Sequence, residues 1–171
     1  MRILEVILKG IDGFTEWAGK SFAWLMMPLI AIIVFEVTCR YLFAAPTNWV
    51  FDVSFMLGTS MFLIGLSYVH RQNAHVKVDI VSKFFSSKVQ MILKLIFRII
   101  YFFPLMWAIA RIALEKAIFS FKINETYQFG IWHPSMIPFH IIIFIAFFLL
   151  TLQGFSQFVR ELQAVIKSRG L

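Results

Sequence analysis

The chain reads as an all-α integral membrane protein with four spanning helices, and three observations predict it. Four apolar stretches, at about 21–43, 50–70, 89–110 and 135–155, each reach the roughly 20 residues a helix needs to cross the hydrocarbon core. Composition agrees: 60% of residues are hydrophobic, 21 are Phe, 15% are charged and the mean hydropathy is +0.82. A soluble domain of this size could not hide that much apolar surface in one core. Third, the basic residues collect on one set of connections. Arg2, Lys9 and Lys20 precede the first stretch, Arg71, Lys77, Lys83 and Lys88 join the second to the third, and Arg160, Lys167 and Arg169 follow the fourth. On the other side, 44–49 carries no charge, and Arg111, Lys116 and Lys122 are diluted by Glu115 and Glu125. Ten basic residues against three predict both termini in the cytoplasm. The net charge of +7 thus follows membrane topology and does not point to nucleic acid.

Each element follows from its pattern. Before the first span, Glu5, Lys9, Asp12, Glu16 and Lys20 recur at helical spacing, with Leu4, Ile7, Ile11, Phe14 and Ala18 on another face. This predicts an amphipathic helix on the inner membrane surface rather than a cleaved leader. Two Glu→Lys pairs four apart, Glu5–Lys9 and Glu16–Lys20, support it. Span one holds Glu36 and Arg40, four apart and so on one face of its outer half. The turn Pro46-Thr47-Asn48-Trp49 leads into span two, which Asp52 opens as a helix cap or as a partner for Arg40. Residues 76–87 repeat the amphipathic theme and predict a second interfacial segment. Span three carries Lys94 and Arg98, placed to reach lipid phosphates, and Pro104, placed to kink it. Pro134 and Pro138 flank the start of span four, where missing N–H groups do no harm. No linker, repeat or low-complexity tract divides residues 1–171, which are expected to form one domain. Trp49, Tyr127 and Trp132 fall near the outer interface, and Trp17 and Trp24 near the inner one.

The chemistry these residues allow is limited. A charge at the membrane centre costs roughly 2.5–3.5 kcal/mol, so Glu36 and Arg40 need one another, a partner or water. The pair reads as a structural contact, with an ion or proton path as the alternative. Cys39 cannot form an internal disulfide. A haem-bearing respiratory anchor needs two imidazoles at matched depth on facing helices. His70 ends span two at the inner side, His140 lies in the outer part of span four, and His75 and His133 fall in loops. No phosphate-cradling loop, metal-spaced Cys/His group or nucleophile with base and acid is present in the sequence, so no enzyme, cofactor or metal is expected. Nor is there a pair of broken helices of the kind that marks a transporter's solute site, although a stand-alone small transporter or channel remains a rival reading.

Several short motifs stand in a fixed order. They are Phe35-Glu36-Val37-Thr38-Cys39-Arg40-Tyr41-Leu42-Phe43, Ala45-Pro46-Thr47-Asn48-Trp49 with Asp52, and Arg71-Gln72-Asn73-Ala74-His75-Val76-Lys77-Val78-Asp79-Ile80-Val81. Trp132-His133-Pro134-Ser135-Met136-Ile137-Pro138 and Leu152-Gln153-Gly154 follow. In this order they resemble the small membrane subunit of tripartite ATP-independent periplasmic (TRAP) transporters, the DctQ-like family, over nearly the whole chain. The sequence departs from that pattern at Asn73-Ala74, where Gly-Gly is usual, and at Asp52, where Glu is usual.

The resemblance implies a bacterial inner-membrane subunit of a sodium-driven, binding-protein-dependent importer of a small solute, often an organic acid. A periplasmic solute-binding protein would deliver the solute, a large membrane (M) subunit would carry it, and this chain would hold the large subunit in place. Membrane lipids would be its remaining partners. Glu36, Arg40 and Asp52 are expected to form an outer polar cluster facing the large subunit, with Trp49 beside it. Arg71, His75 and Asp79 are expected to organise the inner loop. The surface around Trp49 and 125–132 is expected to help dock the binding protein.

Overall fold

A computed structural model of the chain describes residues 2–72, 87–128 and 131–169. Among these lie six α-helices: α1 (Arg2–Ala23), α2 (Met26–Leu42), α3 (Val50–Arg71), α4 (Ser87–Phe97), α5 (Phe103–Ile123) and α6 (Ile137–Arg169). A five-residue π-helical turn, Arg98–Phe102, joins α4 to α5. Four helical runs are long and apolar enough to cross a membrane: Leu4–Leu42, Val50–Arg71, Ile92–Ile123 and Ile137–Gln163.

The spans do not close into a ring. α2 packs on α3, α3 on α6, and α6 on α5, while α1 lies in the seam between α3 and α6. The result is an open row in the order α2, α3, α6, α5. Small residues set the seams, because helices in lipid associate by close packing rather than by a hydrophobic drive. Ala110, Ala113, Ala117 and Ser120 form the buried stripe of α5, and Ser60, Ile64 and Ser67 that of α3. The core cluster is Ala18, Ile64, Ala146 and Leu149, flanked by Phe22, Leu63 and Ile142. Two glycines mark the closest approaches. A Cβ on Gly19 would stand 2.6 Å from Tyr68 Cβ, and one on Gly154 would stand 2.6 Å from Phe102 Cζ.

Three local details shape the helices. The first helix breaks at Trp24–Leu25, because Pro28 has no N–H to donate to the Trp24 carbonyl and its ring crowds that oxygen. The helix resumes at Met26, inside the first apolar stretch. α1 packs on the rest of the protein through a face of mixed polarity. Leu8, Asp12, Thr15 and Ala18 are buried, whereas Phe14 and Trp17 are exposed. Leu8 and Ala18 supply the apolar contact, and partners on α6 satisfy Asp12, so the inward face need not be the most hydrophobic one. Finally, the helix that carries the third apolar stretch continues to Ile123. Pro104 removes one i→i−4 bond, and the turn before it widens so that the Phe103 N–H reaches the Arg98 carbonyl. The predicted interfacial segment lies, but for residue 87, outside the described residues.

At one end of the row, connections are short and tightly bonded. Ala44 takes a left-handed φ of 52°, which turns the Ala45 N–H back to the Cys39 carbonyl at 3.0 Å. Asn124, with φ 48°, ends α5, and Tyr127 N–H to Pro134 O and Met136 N–H to Glu125 O, both 2.9 Å, close the following loop. At the other end, α1 meets the last turn of α3 and Gln153, Ser156 and Arg160 of α6.

Candidate functional site

Two polar centres occupy opposite ends of the row. The first is built on α2. Glu36 lies four residues before Arg40, so both project from one face, and Arg40 donates to Glu36 Oε1 from Nε at 3.0 Å and from a terminal nitrogen at 2.5 Å. The other carboxylate oxygen accepts the Thr47 backbone N–H at 3.0 Å and the Thr47 hydroxyl. With these partners the Glu36 carboxylate sits 12% exposed with its charge met, while Arg40 stays 56% exposed. The centre ties the end of α2 to the turn that starts α3. A small cleft of about 220 Å³ beside it is lined by Ile33, Val50, Phe51 and Ser54 as well as the three bonded residues.

Asp52 does not join this cluster. Val50, Phe51 and Ser54 line the Glu36 side of α3, and at 100° per residue Asp52 projects from a different side. Its buried Oδ2 meets no donor among the described residues. Trp49 is half-buried, its ring 6.2 Å from Phe35 and 6.5 Å from Trp132. It thereby links α2, the α3 start and the loop before α6.

The second centre was not assembled from the sequence. Asp12 of α1 accepts from Gln153 Nε2 at 2.9 Å and Ser156 Oγ at 3.2 Å, and pairs with Arg160. One turn on, Glu16 pairs with Arg71 at 2.7 Å and Lys20 at 2.6 Å. From the π-turn, Arg98 reaches Gln157 at 3.1 Å and Glu161 at 3.3 Å, and Gln157 in turn donates to the His70 carbonyl. His70 stacks on Phe102, centroids 5.1 Å apart and planes within 7°. An open cleft of about 420 Å³, lined among others by Asp12, Glu16, Arg71 and Gln153, enters this network. Three acids and three arginines pair off across α1, α3, α6 and the π-turn.

Arg71 thus works with Glu16, and Arg98 turns into the protein instead of toward lipid; only Lys94 of the two candidate lipid contacts is exposed. His75 and Asp79 lie outside the described residues. The signal for the second centre was available: Gln153, Ser156, Gln157 and Arg160 fall on one helical stripe, as do Asp12 and Glu16. His70 and His140 stand at opposite ends of the row, without facing one another. His140 instead approaches Glu125 at 3.6 Å, and Glu125 accepts from Lys116 at 2.7 Å. That bond from Lys116 holds the Glu125 carboxyl below its ordinary value against the opposing effect of burial.

No curated protein matches the chain. A protein-family comparison matches residues 29–164 to the family described as tripartite ATP-independent periplasmic transporters, DctQ component. The match takes in both polar centres apart from α1, together with all four spans but for the first residues of α2. The chain belongs to that family, as a small membrane subunit of a TRAP transporter and a multi-pass inner-membrane protein.

Proposed function

We propose that this chain is the scaffold half of the membrane machinery, a fixed wall against which a large membrane subunit is held during sodium-driven, binding-protein-dependent uptake of a small solute, an organic acid. The observation that carries this reading is the open row. α2 and α5 each have a single neighbouring span, so the spans enclose no path and present broad apolar faces. Glu36, the buried acid of span one, is spent on Arg40 and Thr47 within the chain, which suits a brace and not a relay. Single changes Glu36→Arg and Arg40→Glu test the brace. Each is expected to lower recovery of the assembled transporter and solute uptake together; normal assembly and uptake with either one contradicts it.

Both termini lie in the cytoplasm in this reading. Support comes from the ten basic residues on that side and from α1 bonding Gln153, Ser156 and Arg160 of α6, at the end of the bundle where α3 also finishes. An impermeant thiol reagent on intact cells should label Asn124→Cys and spare Lys9→Cys, in a Cys39→Ser background. The opposite pattern contradicts this orientation.

A further inference from the structure

The end helix α5 carries an ion pair where a lipid-facing helix should have none. Arg111 Nε donates to Glu115 Oε1 at 3.0 Å, and the side chains are 73% and 62% exposed. Cross-helix contacts fix their depth. Near one end of the row, Lys116 and His140 both approach Glu125, at 2.7 and 3.6 Å. Near the other, Arg98 meets Gln157 and Glu161. Between those two levels α5 and α6 run antiparallel in register. Arg111 therefore lies about 7 Å farther from the loop end than Lys116, at 1.5 Å per residue. That is the level of Ala146 and Ile64, which belong to the core cluster of the row. The pair is at membrane depth, not in a loop.

Its direction is equally fixed. Ala110, Ala113, Ala117 and Ser120 face α6, so Ala108, Arg111, Glu115, Phe119 and Lys122 share the side turned away from the rest of the chain. Hydrocarbon solvates neither partner of an exposed ion pair, and charged side chains at this depth face protein or water. A second copy of this chain is a poor occupant. Two copies with the same orientation must be related by an axis along the membrane normal, which brings residues of equal depth together, Arg111 against Arg111 and Glu115 against Glu115. Like charges would then meet.

We infer that the outward face of α5, centred on Arg111 and Glu115, is the seat of the large membrane subunit. That subunit would present, at matching depth, a polar or charged group that accepts from Arg111 and donates to Glu115. This rests on the scaffold reading, and adds which edge of the row does the holding. It leaves α2, at the far edge, against lipid.

The test uses the tagged full-length chain in cells that also make the large subunit. Arg111→Leu with Glu115→Leu removes the pair and keeps the helix apolar. Recovery of the large subunit with the tagged chain should fall about tenfold, the equivalent of a single hydrogen-bonded charge pair. The amount and thermal stability of the isolated chain should be unchanged or higher. A photo-crosslinking residue at Phe119 should give an adduct to the large subunit, and one at Val34 should not. Unchanged recovery of the large subunit with the double variant overturns the inference, as does a Phe119 adduct to lipid alone or to a second copy of the chain. Should the unmodified chain recover no large subunit at all, the scaffold reading itself has failed, a result distinct from loss of the α5 face alone.

Discussion

At the scale of single residues, Gly154 stands where a side chain has no room. Gly154 admits the Phe102 ring against the α6 backbone, and Phe102 is held from its other side by stacking on His70. With the ring pinned, a methyl at position 154 has nowhere to go. Gly154→Ala should destabilise the chain by about 1–3 kcal/mol, as overpacking typically does. Phe102→Leu should recover much of that loss in the double variant, because the two sites share one contact. Thermal unfolding in detergent reads both; additive effects would show that ring and glycine are not in contact. Residue-scale chemistry was only partly legible in the sequence. The four-residue spacing of Glu36 and Arg40 announced their pairing, since a helix enforces it. Thr47 could not be found that way, because its approach to Glu36 depends on how the chain turns after Ala44. Asp52 was drawn into the same cluster by proximity along the chain, yet helical geometry points it elsewhere.

At the scale of elements, the π-turn before Pro104 sets how two halves of one long helix face their neighbours. Residues 98–102 contain one more residue than α-helical geometry needs, and Arg98 and Phe102 reach the second polar centre because of that widening. Deleting Ile100, which is exposed, should let the helix return to regular pitch with both halves in register. Deleting Leu114 from the regular part of α5 should rotate everything after it by about 100° and misplace the alanine stripe. Folded chain recovered from membranes should therefore survive the first deletion and fall several-fold with the second; equal loss for both would mean that the π-turn is not a one-residue insertion. The proline was visible in the sequence as a kink, but the widening was not, since the sequence does not say which carbonyl a neighbouring N–H will find. α1 shows the same limit. Its periodicity was plain, and its inward face was not, because Asp12 becomes acceptable inside only when Gln153, Ser156 and Arg160 arrive from residues far along the chain.

At the scale of the whole molecule, four spans were readable from length and hydropathy because the bilayer imposes both. Their arrangement as an open row was not readable. Seams in lipid are set by small residues and by polar contacts between distant segments, and both are weak signals in a single sequence. The proposed scaffold role rests on the row: one edge helix is tied by Glu36, Arg40 and Thr47, the other bears Arg111 and Glu115, and a network of paired charges clasps α1 to α6 and to the last turn of α3. Such a wall has faces to offer and no interior. The most direct test is affinity purification of the tagged chain from native membranes in mild detergent, followed by intact-mass and peptide mass spectrometry. The account predicts a much larger polytopic membrane protein in one-to-one amount with the chain. Recovery of the chain alone, folded and without a protein partner, would contradict it.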